Sequence, residues 1–444
     1  MPNLQRLRSA APAALLALCL TAGVAPLSGQ VLSPAEQKMR AYVHQHVADQ
    51  TAFLEKVVNI SSGTMNHAGV RATGDAFAAE LKALGFETRW VGMPPEMKRA
   101  GHLFAEHRAR KGRGAKTGMT VLLLGHLDTV FEGESQRYTL IDDSTAKGAG
   151  TGDMKGGDVV FLYALKAMAA AGTLADANII VALMGDEESG GEPDSVSRRD
   201  LVEAAKRSQA ILAFEEDAGK ATIARRGFSS WQVAVTARQG HSAGVFSKGS
   251  GYGAIYEVAR ILDEFREALS SEPNLTFNPG VIVGGTTVTF DSSTLSGTTA
   301  GKLNIIAPSA FVEGDLRFLT ADQLNSARAK MTGIVSMSLP GTSSKITFAD
   351  GNPSMPPTPG NYALLAVLDS VTRALGQGPT EALDPGQRGA GDISYVAQYA
   401  DALDGLGVNG SRSHTPDETV NLKSLPIATE RAAVLINRLV HRKR

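Results

Sequence analysis

Five short polar clusters in this 444-residue chain combine residue types that can hold metal ions and move protons. The first is Leu124-Gly125-His126-Leu127-Asp128-Thr129-Val130. A His and an Asp two apart at the end of an apolar strand leave it on the same side. His126 can then bind a metal while Asp128 holds its other ring nitrogen. The second, Gly150-Thr151-Gly152-Asp153-Met154-Lys155-Gly156-Gly157, crowds glycines around one acid, which lets backbone approach closely. A phosphate loop is the rival reading, but the spacing and the Lys-Ser/Thr ending of a P-loop are absent. Asp153 would repel phosphate, and a carboxylate bridging two cations suits it better. The third is Met184-Gly185-Asp186-Glu187-Glu188-Ser189-Gly190-Gly191. Its adjacent glutamates point in different directions, so one can ligate metal while the other faces substrate as general base. Ala213-Phe214-Glu215-Glu216 ends another apolar run with acids, and Ser411-Arg412-Ser413-His414-Thr415-Pro416-Asp417-Glu418 sets a His in a turn. Taken singly, each cluster also fits a capping residue or an exposed acidic turn. As a set, two histidines and three carboxylates are what two zinc ions need, with one acid shared. Such ions sit roughly 3.5–4 Å apart and share a hydroxide.

Elements must deliver these residues to one place. Thr120–Gly125, Asn178–Met184 and Ala210–Phe214 read as short buried strands, and each runs into one of the clusters. Helices are predicted from the cap Ser33-Pro34-Ala35-Glu36 to about Val58, over Thr73–Leu84, and over Val159–Ala171. Strands alternating with helices imply an α/β sandwich with a mixed or parallel sheet, whose sites lie at strand ends. From about Gly227 the pattern changes. Trp231–Ala237, Val281–Phe290 and Ala310–Phe318 alternate as half-exposed strands, and Ile255–Leu269 and Leu324–Val335 are amphipathic helices. This α+β module ends near Gly351-Asn352-Pro353, and helical patterns return at Tyr362–Leu375, Ile393–Tyr399 and Leu425–Val440. The expected organisation is a catalytic domain (30–227 and 353–444) interrupted by an inserted module (228–352).

Composition excludes several function classes. With 44 Lys plus Arg against 45 Asp plus Glu, nothing favours nucleic acid or an acidic membrane as a partner. Arg6 and Arg8 precede an apolar run, Ala10–Leu27, with the layout of a signal peptide (1–29), cleaved between Ala25 and Gln30. The mature protein would then be secreted or periplasmic. Its single cysteine, Cys19, would leave with the leader, so no disulfide or thiolate takes part. His44, His46, His102, His107 and His441 read as surface residues, and His67 as a loop residue to watch. Arg108–Lys116 reads as a solvated basic loop. No Gly-x-Ser-x-Gly elbow appears in a strand-turn-helix setting, which disfavours a serine hydrolase.

The five clusters, in this order and spacing, resemble the M20 family of metallopeptidases, and within it the glutamate carboxypeptidase branch. The resemblance implies a zinc-peptidase catalytic domain, with a mixed sheet flanked by helices, and an inserted α+β lid and dimerisation domain. It implies two zinc ions per subunit, with cobalt or manganese as alternatives. One zinc would be held by His126 and Glu215, the other by Glu188 and His414, with the Asp153 carboxylate bridging both and the Asp153–Met154 peptide cis. Asp128 would orient His126, and Glu187 would be the general base. His241, in Gln239-Gly240-His241-Ser242-Ala243-Gly244, resembles a lid histidine that reaches the scissile carbonyl, often from the partner subunit. Asn304, Arg317 and the loop of Gly389 and Gly391 resemble the pocket for the substrate carboxylate, which suits a guanidinium. The implied partners are a small peptide or N-acyl amino acid and a second copy of the chain, joined through the lid. Two departures stand out. Asn352 occupies a position where that branch carries a basic residue, which weakens the case for glutamate, and Gly191–Arg199 is longer than usual. Aminoacylases, dipeptidases and succinyl-diaminopimelate desuccinylases share the motifs. A silent binding protein on the same scaffold would lack the base or a ligand, and here none is missing.

Overall fold

The computed structural model describes residues 31–110, 118–133 and 136–442. The signal-peptide reading, with Cys19, and most of the basic run Arg108–Lys116 lie outside these residues.

Three parallel strands lie at the heart of the molecule: Asn178–Met184, Thr120–His126 and Ala210–Ala213, with Asp401–Leu403 added in parallel at one edge. On the other side, His102–His107 and Glu87–Val91 continue the sheet antiparallel, so the six-stranded sheet is mixed. The central strands read as unbroken apolar runs because both faces are covered. On Thr120–His126, Val121 and Leu123 join one core with the helices Lys155–Ala170 and Ser424–Val440. Leu122 and Leu124 face the other way, against Leu201, Ala204 and Ala205 of the helix Arg199–Lys206.

Residues 227–350 form a second unit. Strands Thr342–Asp350, Gly227–Ala237, Ser309–Phe318 and Thr276–Gly285 pair antiparallel in that order. Helices Ala254–Leu269 and Ala321–Ser336 cover one face, so inward Trp231, Val233 and Val235 alternate with half-exposed neighbours.

Several element predictions need correction. The helix from Ser33 has the expected capping box, but it stops at Gln45 and a second runs Val47–Val58, with His46 at the junction. The next helix begins at His67, capped by Asn66, so His67 is helical, not in a loop. Strands Glu87–Val91 and His102–His107 escape the sequence pattern because the polar residues between and within them hide the alternation. His102 is therefore fully buried, not a surface residue. Val281–Phe290 is two strands, and the second (Thr287–Asp291) forms an exposed hairpin with Ser296–Ala300. The unit also gains Thr342–Asp350, whereas Ile393–Tyr399 provides only a single helical turn at Asp392–Tyr395.

Candidate metal centre

Because the three central strands are parallel, their carboxyl ends lie along one edge of the sheet. His126 closes Thr120–His126, Asp186-Glu187-Glu188 follows Asn178–Met184, and Phe214-Glu215 follows Ala210–Ala213. Asp153 arrives from the loop ahead of the helix Lys155–Ala170, and His414 from the turn between Gly410–Ser411 and Thr419–Asn421. Asp153 stands at the centre. His126 Nε2 is 3.2 Å from its Oδ1, and His414 Nε2 is 3.1 Å from its Oδ2. His414 Nε2 also lies 3.2 Å from Glu188 Oε2. Donor atoms converge within 4.8 Å in the groups His126–Asp153–Glu215 and Asp153–Glu188–His414, and in a third, His126–Glu187–Glu188. The Asp153–Met154 peptide is cis.

Charge at the site is unbalanced. Burial raises the pKa of Glu215 to about 7, with Asp153 adding to the rise. Burial also raises Glu188, and it pushes Glu187 well above the usual carboxylate range. Asp153 alone is held far down: burial opposes this, but the bonds from His126 and His414 outweigh it. The bonds from Asp153 and Glu188 raise His414 to about 10. Such a concentration of half-buried carboxylates beside two imidazoles fits divalent metal ions in two adjoining sets that share Asp153.

The backbone around these ligands is fastened by acids. Buried Asp128 accepts the amides of Glu187 (Oδ1, 3.1 Å) and Glu188 (Oδ2, 3.1 Å) and the hydroxyl of Thr64 (2.6 Å). His126 Nδ1 lies 3.1 Å from the Asp128 carbonyl, closer than the 3.5 Å to its carboxylate. Asp128 thus positions two glutamates as well as the imidazole. Asp128→Asn turns an NH2 toward an amide N–H and leaves a buried donor unpaired, at a cost of about 1–3 kcal/mol. Urea unfolding should show that loss together with a fall in kcat; full activity would show that the amides of Glu187 and Glu188 do not need this brace.

Buried Glu418, in the fifth cluster, has a role that its sequence context does not suggest. Its Oε1 accepts the amides of Gly152 (2.8 Å) and Asp153 (3.0 Å), and its Oε2 that of Gly150 (3.1 Å). The chain's own carboxylate therefore fills the anion nest of the Gly150–Gly157 loop. Lys155, fully buried, donates to the carbonyls of Val57 and Ile60. Both facts turn the phosphate-loop reading aside.

Two buried arginines, Arg198 and Arg225, also escape a reading of the sequence, because their partners are remote along the chain. Arg198 pairs with Asp186 (2.6 Å) and Asp392 (2.7 Å), tying the Glu187 loop to the Gly-rich loop. Gly391 sits between Arg225 and Glu187; a Cβ there would lie 2.9 Å from the arginine's Nη1 and 3.5 Å from Glu187 Oε1. Gly389 presents its carbonyl to Arg225. By contrast, the polar contacts of His241, Asn304 and Arg317 all fall within residues 227–350. His241 Nδ1 accepts the amide of Ala243, Asn304 O accepts that of Ser242, and Arg317 pairs with Asp315 (3.0 Å) over the Phe228 ring.

A mixed sheet with two adjoining carboxylate–imidazole sets at its strand ends defines the class: a hydrolase built around a pair of metal ions. Residues 122–438 match the sequence profile of peptidase family M20/M25/M40, and the chain belongs to that family. It is a hydrolase of peptide or amide bonds. Carboxypeptidase G2 of Pseudomonas sp. (strain RS-16) is 27% identical over 392 residues, covering 86% of this chain and 87% of that protein. A succinyl-diaminopimelate desuccinylase of Acidiphilium cryptum is 27% identical over 377 residues, covering 82% and 91%. Among solved structures, an aminopeptidase of Bacillus cereus superposes with a TM-score of 0.69 at 17% identity, covering 88% of this chain and 98% of that one. A dinuclear metal binding peptidase of the M20 family from Bacillus subtilis gives 0.60 at 13%, covering 89% and 99%. These last two show the shared fold.

Proposed function

We propose that this enzyme releases a C-terminal, glutamate-type amino acid from peptides or N-acyl amino acids, using two zinc ions. The carrying observation is Asp153, whose two oxygens reach His126 and His414. In this reading His126, Asp153 and Glu215 hold one ion, and Asp153, Glu188 and His414 hold the other. Bound there, the ions supply an acidified water as nucleophile and polarise the amide carbonyl. Glu187, half-buried and beside Gly391, takes the proton of the attacking water and returns it to the leaving amine. His241 stabilises the oxyanion when the lid closes, from the same chain or from a partner's. Arg317 and Asn304, with Gly389 and Gly391, receive the substrate carboxylate.

A homodimer through the lid belongs to the same proposal. Ile255 and Tyr256 on the helix Ala254–Leu269, and Ile282 on the edge strand Thr276–Gly285, are more than half exposed and offer it an apolar face. Export follows from the leader reading of residues 1–29. Among the described residues no helix is long and apolar enough to cross a membrane.

Hydrolysis of N-acyl amino acids by an aminoacylase-like or dipeptidase-like relative is the second reading. The desuccinylase relatives favour it, as does Asn352, whose amide donates to Tyr395 Oη where a basic side chain would have offered charge.

Metal content and hydrolysis of a panel of peptidyl and N-acyl amino acids, before and after chelation, test both readings. About two metals per chain are expected, with release of a C-terminal amino acid abolished by chelation and restored by zinc. A preference for N-acyl amino acids or dipeptides whose released residue is not of the glutamate type would select the second reading. Hydrolysis indifferent to chelation would overturn both.

A further inference from the structure

Two adjacent arginines occupy the hinge between the sheets and reach opposite ways. The chain leaves the catalytic part through Arg225-Arg226-Gly227 and returns through Asn352–Met355. These crossings pair as a ribbon: Arg225 and Met355 exchange both backbone bonds at 2.9 Å, and Phe228 N donates to Asn352 O at 2.9 Å. Close packing holds the ribbon, since a Cβ at Gly227 would meet the Asn352 carbonyl at 2.8 Å and the Phe318 ring at 2.6 Å.

The Arg225 side chain turns inward and is buried. Nε pairs with buried Asp404 at 2.5 Å, and Nη1 donates to the carbonyls of Gly389 (3.2 Å) and Ala390 (3.0 Å). Nη2 lies 3.9 Å from Glu215 Oε1. Arg226 turns outward and spans the two units. Nη1 donates to Thr276 Oγ1 (3.0 Å), at the start of the lid's edge strand. Nη2 donates to the Gly386 carbonyl (3.1 Å), in the turn that leads into the Gly-rich loop.

We infer that Arg225 and Arg226 form a mechanical link in which the lid's position at the hinge sets the position of the Gly389–Gly391 loop against Glu187. Arg225 fixes the loop from beneath, and Arg226 makes its approach segment move with Thr276 of the lid. Arg226 is thus a positioning residue for substrate binding, not a catalytic one. The inference rests on the reading of that loop as part of the substrate pocket.

The test uses Arg226→Ala and Thr276→Val in the full mature chain loaded with zinc. Arg226→Ala should keep wild-type metal content, raise KM for the best panel substrate about tenfold and leave kcat within about twofold. Thr276→Val should raise KM in the same direction. The double variant should be no worse than Arg226→Ala alone, as expected when both act through one contact. Hydrogen exchange of segment 384–392 should quicken in Arg226→Ala with the melting temperature unchanged. Unchanged KM, a fall in kcat alone, or additive effects would overturn the link. If no panel substrate is cleaved, the functional proposal fails by itself and exchange decides the link: unaltered exchange in segment 384–392 overturns it.

Discussion

Glu187→Gln is expected to retain about two metal ions per chain and to lower kcat by about 10²–10⁴-fold. The substitution keeps shape and removes only the capacity to accept a proton. Glu187 is suited to that task by place and by environment. Its amide is fixed by Asp128 Oδ1, and its carboxylate lies beside the position a Cβ on Gly391 would take. Burial, with Glu215, Asp392 and Glu188 nearby, lifts its pKa well above the ordinary carboxylate range, although His126 opposes the rise. A raised pKa makes a carboxylate a stronger proton acceptor. The geometry also sharpens the alternative, because Glu187 belongs to the third donor group with His126 and Glu188. Metal analysis of the variant separates the two roles. Retained metal with collapsed turnover assigns the base, loss of one ion makes Glu187 a ligand, and unchanged turnover removes it from the chemistry.

Arg198→Met should lower the unfolding free energy by about 3–5 kcal/mol, the range for breaking a buried ion pair from one side. Arg198 joins Asp186 at 2.6 Å and Asp392 at 2.7 Å, donates to the Asp186 carbonyl at 3.1 Å, and lies 5.3 Å from the Tyr395 ring centre. Its removal leaves two buried carboxylates without their cation. The loss should depend on pH, and its sign follows from Asp392. Burial already raises that group to about 6 against the pull of Arg198, so the folded state holds its proton to higher pH than the unfolded chain does. Without the arginine the folded pKa rises further. The destabilisation should therefore be smallest near pH 4 and grow as pH climbs through 6 toward 8. Urea titrations at those pH values measure it, and Asp392→Asn in the Arg198→Met background should recover part of the loss at pH 8. A loss below about 1 kcal/mol, flat with pH, would mean that water or neighbouring groups replace the arginine. Activity should fall as well, because Asp186 precedes Glu187 and Asp392 follows Gly391.

The candidate ligand set is legible in the sequence because most of its chemistry is local. His126, Glu187-Glu188 and Glu215 each follow a strand whose continuous apolar run announces burial on both faces, and parallel strands bring such ends together. Asp153 among glycines and His414 before Thr-Pro-Asp-Glu are ambiguous singly and become readable only as members of the set of five clusters. Long, strongly periodic elements are readable too, as the helices over 254–269 and 424–440 show. Weakly patterned elements are not. The strand His102–His107 carries His and Glu on a buried sheet, so its histidines read as surface residues until Ser197 and Gly185 are seen to satisfy His102.

What only the tertiary structure decided is how the candidate ligands are held. Arg225 finds Asp404 across 179 residues, and Glu418 finds the amides of Gly150 and Gly152 across more than 260. An arginine or glutamate in a sequence carries no mark of a partner at that distance, because the pairing depends on how the sheet brings its loops together. The placement of His241, Asn304 and Arg317 belongs to the same kind. Local sequence marks them as candidates, but only the position of the 227–350 unit relative to the sheet determines what they can reach. Residue chemistry is written locally and survives in a string of letters; packing between remote segments is a property of the folded chain.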